Sequence, residues 1–96
     1  MQDFLRRIAR HYDIPLQLAS FLSMLIIHEF VTSNRIYEEL GTTECRQLAF
    51  RLRKAVPDLT LHSRRFVGYW LEPAERTALA TKFNKPAKVS KVVLKG

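Results

Sequence analysis

Twelve residues near the start of the chain do most to limit its fold. In the run Leu16–Ile27 only Gln17, Ser20 and Ser23 interrupt a series of leucines, isoleucines, Phe21, Met24 and Ala19. The run is too short to cross a bilayer, which takes about 20 apolar residues. Read as a helix from about Leu16 to His28, it has its strongest stripe at Leu18, Phe21, Leu22 and Leu25. Met24, Ile26 and Ile27 then make it apolar on most sides. A helix of that kind lies at the centre of a core or in an interface. With 96 residues the chain makes one domain with a single modest core.

The flanking segments carry clear punctuation. Residues 2–12 read as a helix, because Phe4, Ile8 and Tyr12 recur every fourth position with Leu5 beside them, while Arg6, Arg7 and Arg10 point elsewhere. Asp13-Ile14-Pro15 ends it, since proline disfavours helix at the residue before it. Phe30-Val31-Thr32 can supply a short strand. Ser33 is then the N-cap of a third helix, Asn34 to Leu40, closed by Gly41 in a left-handed conformation. Thr42 or Thr43 caps a fourth helix with Glu44 in its first turn, and that helix stops before Pro57-Asp58. Over residues 59–71 the apolar period falls to two. Leu59 and Leu61 alternate with Thr60 and His62, and Val67, Tyr69 and Leu71 with Gly68 and Trp70, around a turn near Arg64 to Phe66. Of the last pair, Tyr69 is expected in the core. Gly68 is expected to serve the backbone geometry of the hairpin. Pro73 suits the first turn of a last helix, to about Phe83. Residues 1–83 thus form the domain, and 84–96, with four lysines and no acid, form a basic tail in which Val92-Val93-Leu94 can add a strand.

Charge narrows the partners. Sixteen Lys plus Arg against nine Asp plus Glu leave +7, which favours polyanions and nucleic acid first among them. The single cysteine, Cys45, allows no internal disulfide, as suits a reducing cytoplasm. No signal peptide is read at the N-terminus, so a soluble cytoplasmic protein without membrane attachment is expected. His11, His28 and His62 lack metal-ligand spacing. Cys45 falls on an apolar helix face, Glu38-Glu39 diverge on their helix, and neither a nucleophile elbow nor a phosphate loop occurs. No enzyme, metal or cofactor is therefore expected.

The fourth helix is the informative one for function. Advancing about 100° per residue from Cys45 gathers Leu48, Ala49, Leu52 and Val56 on one apolar face. The opposite side receives Arg46, Gln47, Phe50, Arg53 and Lys54, with Arg51 at the border. Arg can form two hydrogen bonds to guanine and Gln two to adenine, and Phe can touch a thymine methyl. A solvated basic face and an exposed Phe that meets a protein neighbour are the plainer accounts of the same pattern. Arg35 and the first amides of the third helix can meet phosphate.

Two segments carry a resemblance. Arg51-Leu52-Arg53-Lys54-Ala55-Val56, followed by Leu61-His62-Ser63-Arg64-Arg65-Phe66-Val67-Gly68-Tyr69-Trp70-Leu71, is similar to the end of the OmpR/PhoB-type winged-helix effector domain. That family shows an Arg-Leu-Arg-Lys run on its recognition helix and a hairpin ending in Gly-Tyr-x-Leu. Phe30-Val31-Thr32-Ser33 and Ile36-Tyr37-Glu38-Glu39-Leu40 resemble its strand and positioning helix, so the likeness spans about residues 16–71. It implies a mainly α protein with a small β-hairpin: a winged helix-turn-helix, here with extra N-terminal and C-terminal helices. The helix-turn-helix would be 33–56 and the wing 59–71. By the same resemblance the fourth helix enters the major groove. Arg46, Gln47, Phe50, Arg53 and Lys54 are then the DNA-contact candidates, with Arg64 and Arg65 near the minor groove or flanking phosphates; Arg35 and Thr43, at the starts of the third and fourth helices, complete the set of candidates. The chain departs from the family in several ways. No receiver domain is present, and a basic helix replaces the N-terminal four-stranded sheet. Only Gly41-Thr42-Thr43 separates the two helices, Phe66 stands for the usual wing glycine, and Arg64 for an apolar residue.

The expectation is a transcriptional regulator that binds double-stranded DNA. A protein–protein module docking through Phe50, Phe66 or Trp70 and an RNA-binding domain are the alternatives. A homodimer goes with the first reading, since helix-turn-helix proteins commonly bind paired half-sites.

Overall fold

The computed structural model describes residues 2–65 and 67–83 of the chain. In order these form α1 (Gln2–Tyr12), α2 (Leu16–Ile27), β1 (Val31–Thr32), α3 (Ser33–Leu40), α4 (Cys45–Ala55), β2 (Leu61–Arg64), β3 (Gly68–Leu71) and α5 (Pro73–Lys82). The fold is mainly helical with a small antiparallel sheet. The expected basic tail, its Val92-Val93-Leu94 strand and the docking role of Phe66 lie outside the described residues.

α2 occupies the centre, as its composition requires. Leu18, Ala19, Phe21, Leu22, Ser23, Met24, Leu25 and Ile26 are all buried, and α1, α3, α4, α5 and β3 all pack on it. The buried Ser23 hydroxyl donates to the Ser20 carbonyl at 2.7 Å, so it enters the core without an unmet hydrogen bond. Phe4 and Ile8 bring α1 onto α2. The reversal between them turns on Asp13, which adopts φ 55. The Ile14 amide then reaches back to the Ala9 carbonyl at 3.0 Å, the pattern of a Schellman cap. Proline accounts for only part of that helix stop.

The sheet has strand order β1-β3-β2, and both pairings are antiparallel. The hairpin expected from the period-two pattern is therefore extended by β1, which pairs Val31 with Tyr69 and Thr32 with Gly68. Val31, Leu61, Tyr69 and Leu71 face the core. On the other face His62 stacks on Trp70, with centroids 5.4 Å apart, and Phe30 lies 5.6 Å beyond. Gly68 is required by this packing. A Cβ there would stand 2.4 Å from the Val31 carbonyl oxygen and 2.8 Å from the Phe30 ring. Tyr69 is in the core, as expected, with 6 % of its surface exposed.

Several local expectations need correction. Thr32, not Ser33, caps α3: its hydroxyl accepts from the Arg35 amide at 3.1 Å, and Ser33 is already helical. Gly41 closes that helix at φ 67, as expected. Neither Thr42 nor Thr43 caps α4. Glu44 holds the N-cap position rather than the first turn, and Thr42 instead accepts from the Glu44 amide at 3.0 Å. Adjacent Thr and Ser have similar capping preferences, so composition alone could not choose between them. Leu59 lies ahead of β2, in a turn where its amide bonds to the Val56 carbonyl at 3.1 Å. Val67 lies outside β3. Its amide closes the turn on the Arg64 carbonyl at 2.9 Å, and its own carbonyl accepts from the Ser33 amide at 3.0 Å. The hairpin is thus tied to the start of α3.

α5 locks the sheet to the helices. Pro73 begins it, as expected. Glu75 accepts from both the amide and the hydroxyl of Thr60. Arg76 donates to the carbonyls of Ile26 and Ile27, each at 3.3 Å, where α2 has no amides left to satisfy them. Arg7 serves the end of α5 in the same way, at 2.9 Å from the Phe83 carbonyl.

Candidate nucleic-acid interface

α4 divides its residues by helical period. Cys45, Leu48, Ala49 and Leu52 are buried, with Val56 just beyond them. Arg46, Gln47, Phe50, Arg51, Arg53 and Lys54 are all exposed. Phe50 keeps 57 % of its surface in solvent. The Lys54 ammonium sits 5.6 Å from the centroid of that ring.

This outer face opens into a concave cleft of about 1030 Å³. One wall is the first two turns of α4, with Arg46, Gln47 and Phe50. The rim is Ser33, Thr43 and Glu44, and the far side is the inner face of the hairpin at Ser63 and Tyr69. Ser63 and Tyr69 are cross-strand partners, so the sheet places both on the same side. The Ser33 amide, bonded to the Val67 carbonyl, holds the hairpin against the start of α3, so that this inner-face pair borders the cleft.

The expected contact residues do not all have the same freedom. Arg46 forms no hydrogen bond or ion pair among the described residues, although Glu44 borders the same cleft. Arg53 also lines the cleft, but its guanidinium donates to the Leu61 carbonyl at 2.9 Å and so fastens α4 to β2. Arg35 pairs with Glu39 one turn on, at 2.9 Å, which offsets its charge. Arg64 is exposed at the end of β2 opposite Gly68, and Arg65 is exposed in the turn. Thr43 is exposed on the rim. Trp70 is half-buried within the His62–Trp70–Phe30 stack.

Tyr69, with its cross-strand partner Ser63, lines the cleft although sequence reasoning placed neither in the site. Its ring packs edge-on against Phe21 at 5.7 Å, while the side chain borders the open cleft. The hydroxyl has no hydrogen bond among the described residues. Burial raises its pKa above the ordinary value, against the pull of the nearby Arg53 and Arg46 charges. The phenol is therefore a neutral donor in this cationic setting. The signal for it in the sequence was the alternation that pairs Tyr69 with Ser63, but alternation alone reads only as core. Cys45 forms part of the same wall. Its thiol donates to the Ser33 carbonyl at 3.7 Å, and burial raises its pKa, as befits a packing residue.

No group of three or more His, Cys, Asp or Glu that could hold a metal occurs among the described residues. No helix among them is long and apolar enough to cross a membrane. The chain matches no known protein family, no curated protein and no solved structure.

Proposed function

We propose that this chain is a winged-helix protein that binds double-stranded DNA sequence-specifically and regulates transcription. The observation that carries the reading is the outer face of α4. Arg46, Gln47, Phe50 and Lys54 are all exposed on a short rod whose other side is fixed in the core, and a hairpin bearing Arg64 and Arg65 stands beside it. The order helix, strand, helix, helix, hairpin, with β1 joined to β3, supports the winged-helix assignment. An α-helix fits the major groove of B-DNA, about 12 Å wide, and long donors on it reach base edges. Arg64 and Arg65 suit flanking phosphates, which fix register without carrying sequence information. The Tyr69 hydroxyl and the first amides of α4, which have no acceptors within the helix, suit a phosphate at the cleft rim.

The exposed Phe50 ring also favours a second reading, a protein-docking surface. Trp70 lends that reading less support, since its ring is engaged by His62 and Phe30.

The test is competition for a labelled random-sequence DNA duplex by unlabelled duplex DNA, duplex RNA and single strands. Displacement by duplex DNA well ahead of the others is expected, and Arg46→Ala should weaken duplex binding by about 1–3 kcal/mol if it reads a guanine. Equal displacement by RNA, or no duplex binding at all, would overturn the reading.

A further inference from the structure

The outer face of α4 carries enough difference among its side chains to name the bases it reads. Base contacts in helix-turn-helix proteins come from the N-terminal part of the recognition helix. In α4 the residues of the first two turns that border the cleft from its outer face are Arg46, Gln47 and Phe50. Each is exposed, and neither Arg46 nor Gln47 has a side-chain partner among the described residues. Arg53 is different: its bond to the Leu61 carbonyl turns the guanidinium back to the sheet. Lys54, in the last turn, lies against the Phe50 ring as a point charge without a fork to recognise a base.

Resting on the DNA-binding reading, we infer that α4 selects a site through three separate contacts: a guanine held by Arg46, an adenine held by Gln47, and a thymine methyl set against Phe50. The chemistry of each follows from its groups. A free guanidinium fork matches the O6 and N7 acceptors of guanine. A carboxamide offers one acceptor and one donor, which match N6 and N7 of adenine. An exposed ring has only apolar surface to offer, and the thymine methyl is the one apolar group on a major-groove edge. Arg46 and Phe50 stand four residues apart, so they share a helix face with Gln47 beside them. The three bases therefore fall within one short stretch of groove.

The experiment is selection of bound duplexes from a randomised DNA pool, read by sequencing, for the wild type and for Arg46→Ala, Gln47→Ala and Phe50→Ala. Circular dichroism melts check that each variant is folded. The wild type should enrich a motif containing guanine, adenine and thymine positions. Each variant should lose preference at its own position and keep the other two. Arg46→Ala and Gln47→Ala should lose about 5- to 150-fold in affinity for the enriched duplex. Deoxyuridine in place of the thymine removes the methyl alone. It should weaken the wild type about fourfold and leave Phe50→Ala unchanged. Duplex binding without such positions, or a single variant erasing every preference at once, overturns the base assignments while duplex recognition stands. A wild type that binds no duplex overturns both.

Discussion

Arg7, Arg53 and Arg76 each donate to a main-chain carbonyl, at Phe83, at Leu61, and at Ile26 with Ile27. Arg46 and Arg64 have no such bond among the described residues. Part of the basic composition therefore holds the fold together, and another part makes no such bond among the described residues. The two kinds cannot be told apart by residue type, because the deciding acceptor lies on an element distant in sequence or belongs to the backbone. The fit at Gly68 is of the same kind. The sequence expectation put its role in the hairpin's own geometry, whereas the structure puts it in the close approach of Val31 and Phe30. Gly68→Ala should lower stability by about 1–3 kcal/mol, the usual effect of overpacking. Urea denaturation measures this, and an unchanged midpoint would contradict it. The titrating groups make a second prediction. Burial raises the pKa of Cys45 above 9.0 and those of Tyr12 and Tyr69 above 10.0. As pH rises the unfolded chain releases these protons first, so the folded state loses ground. Stability should be fully present below about pH 9 and decline above it. Denaturation midpoints that stay level from pH 8 to about pH 11 would contradict this.

Elements were legible where a period imposed itself. The two faces of α4 follow from helical spacing, and their burial agrees residue by residue. α2 announced a central position through its composition, and α1, α3, α4 and α5 all meet it. The hairpin showed its alternation, but nothing local told that the two-residue β1 would join it, because sheet pairing is a long-range property. Element ends were read least well. Thr32 and Ser33 are adjacent and chemically similar, and the left-handed Asp13 is a conformation uncommon outside glycine. The ends of α2 and α5 depend on distant arginines for their free carbonyls. Arg76→Ala should cost about 1–2 kcal/mol by leaving the Ile26 and Ile27 carbonyls without that donor. Chemical denaturation reads the loss directly. A variant as stable as the wild type would show that the two bonds, each 3.3 Å long, contribute nothing.

Across the whole molecule, charge and shape have to agree if the proposed function is right. The span from Cys45 to Arg65 contains six of the chain's sixteen Lys and Arg and a single acid, Asp58. It comprises the exposed face of α4, β2 and the turn that follows. Six cationic side chains thus lie on the elements that the proposal places against DNA, while Glu72 and Glu75 are engaged by His62 and Thr60. Family membership was the reading that the fold could not supply, since a small helical domain with a three-stranded sheet is compatible with several functions. The site must therefore be tested by its chemistry. The most direct measurement is the affinity for a DNA duplex as a function of salt, for the wild type and for Arg46→Ala and Arg64→Ala. Neutralisation of about six phosphates predicts a log–log slope near −5. Losing a phosphate contact at Arg64 should make the slope shallower by about 1. Arg46→Ala should lower affinity with a smaller change in slope. An affinity indifferent to salt, or one untouched by either substitution, would contradict the account.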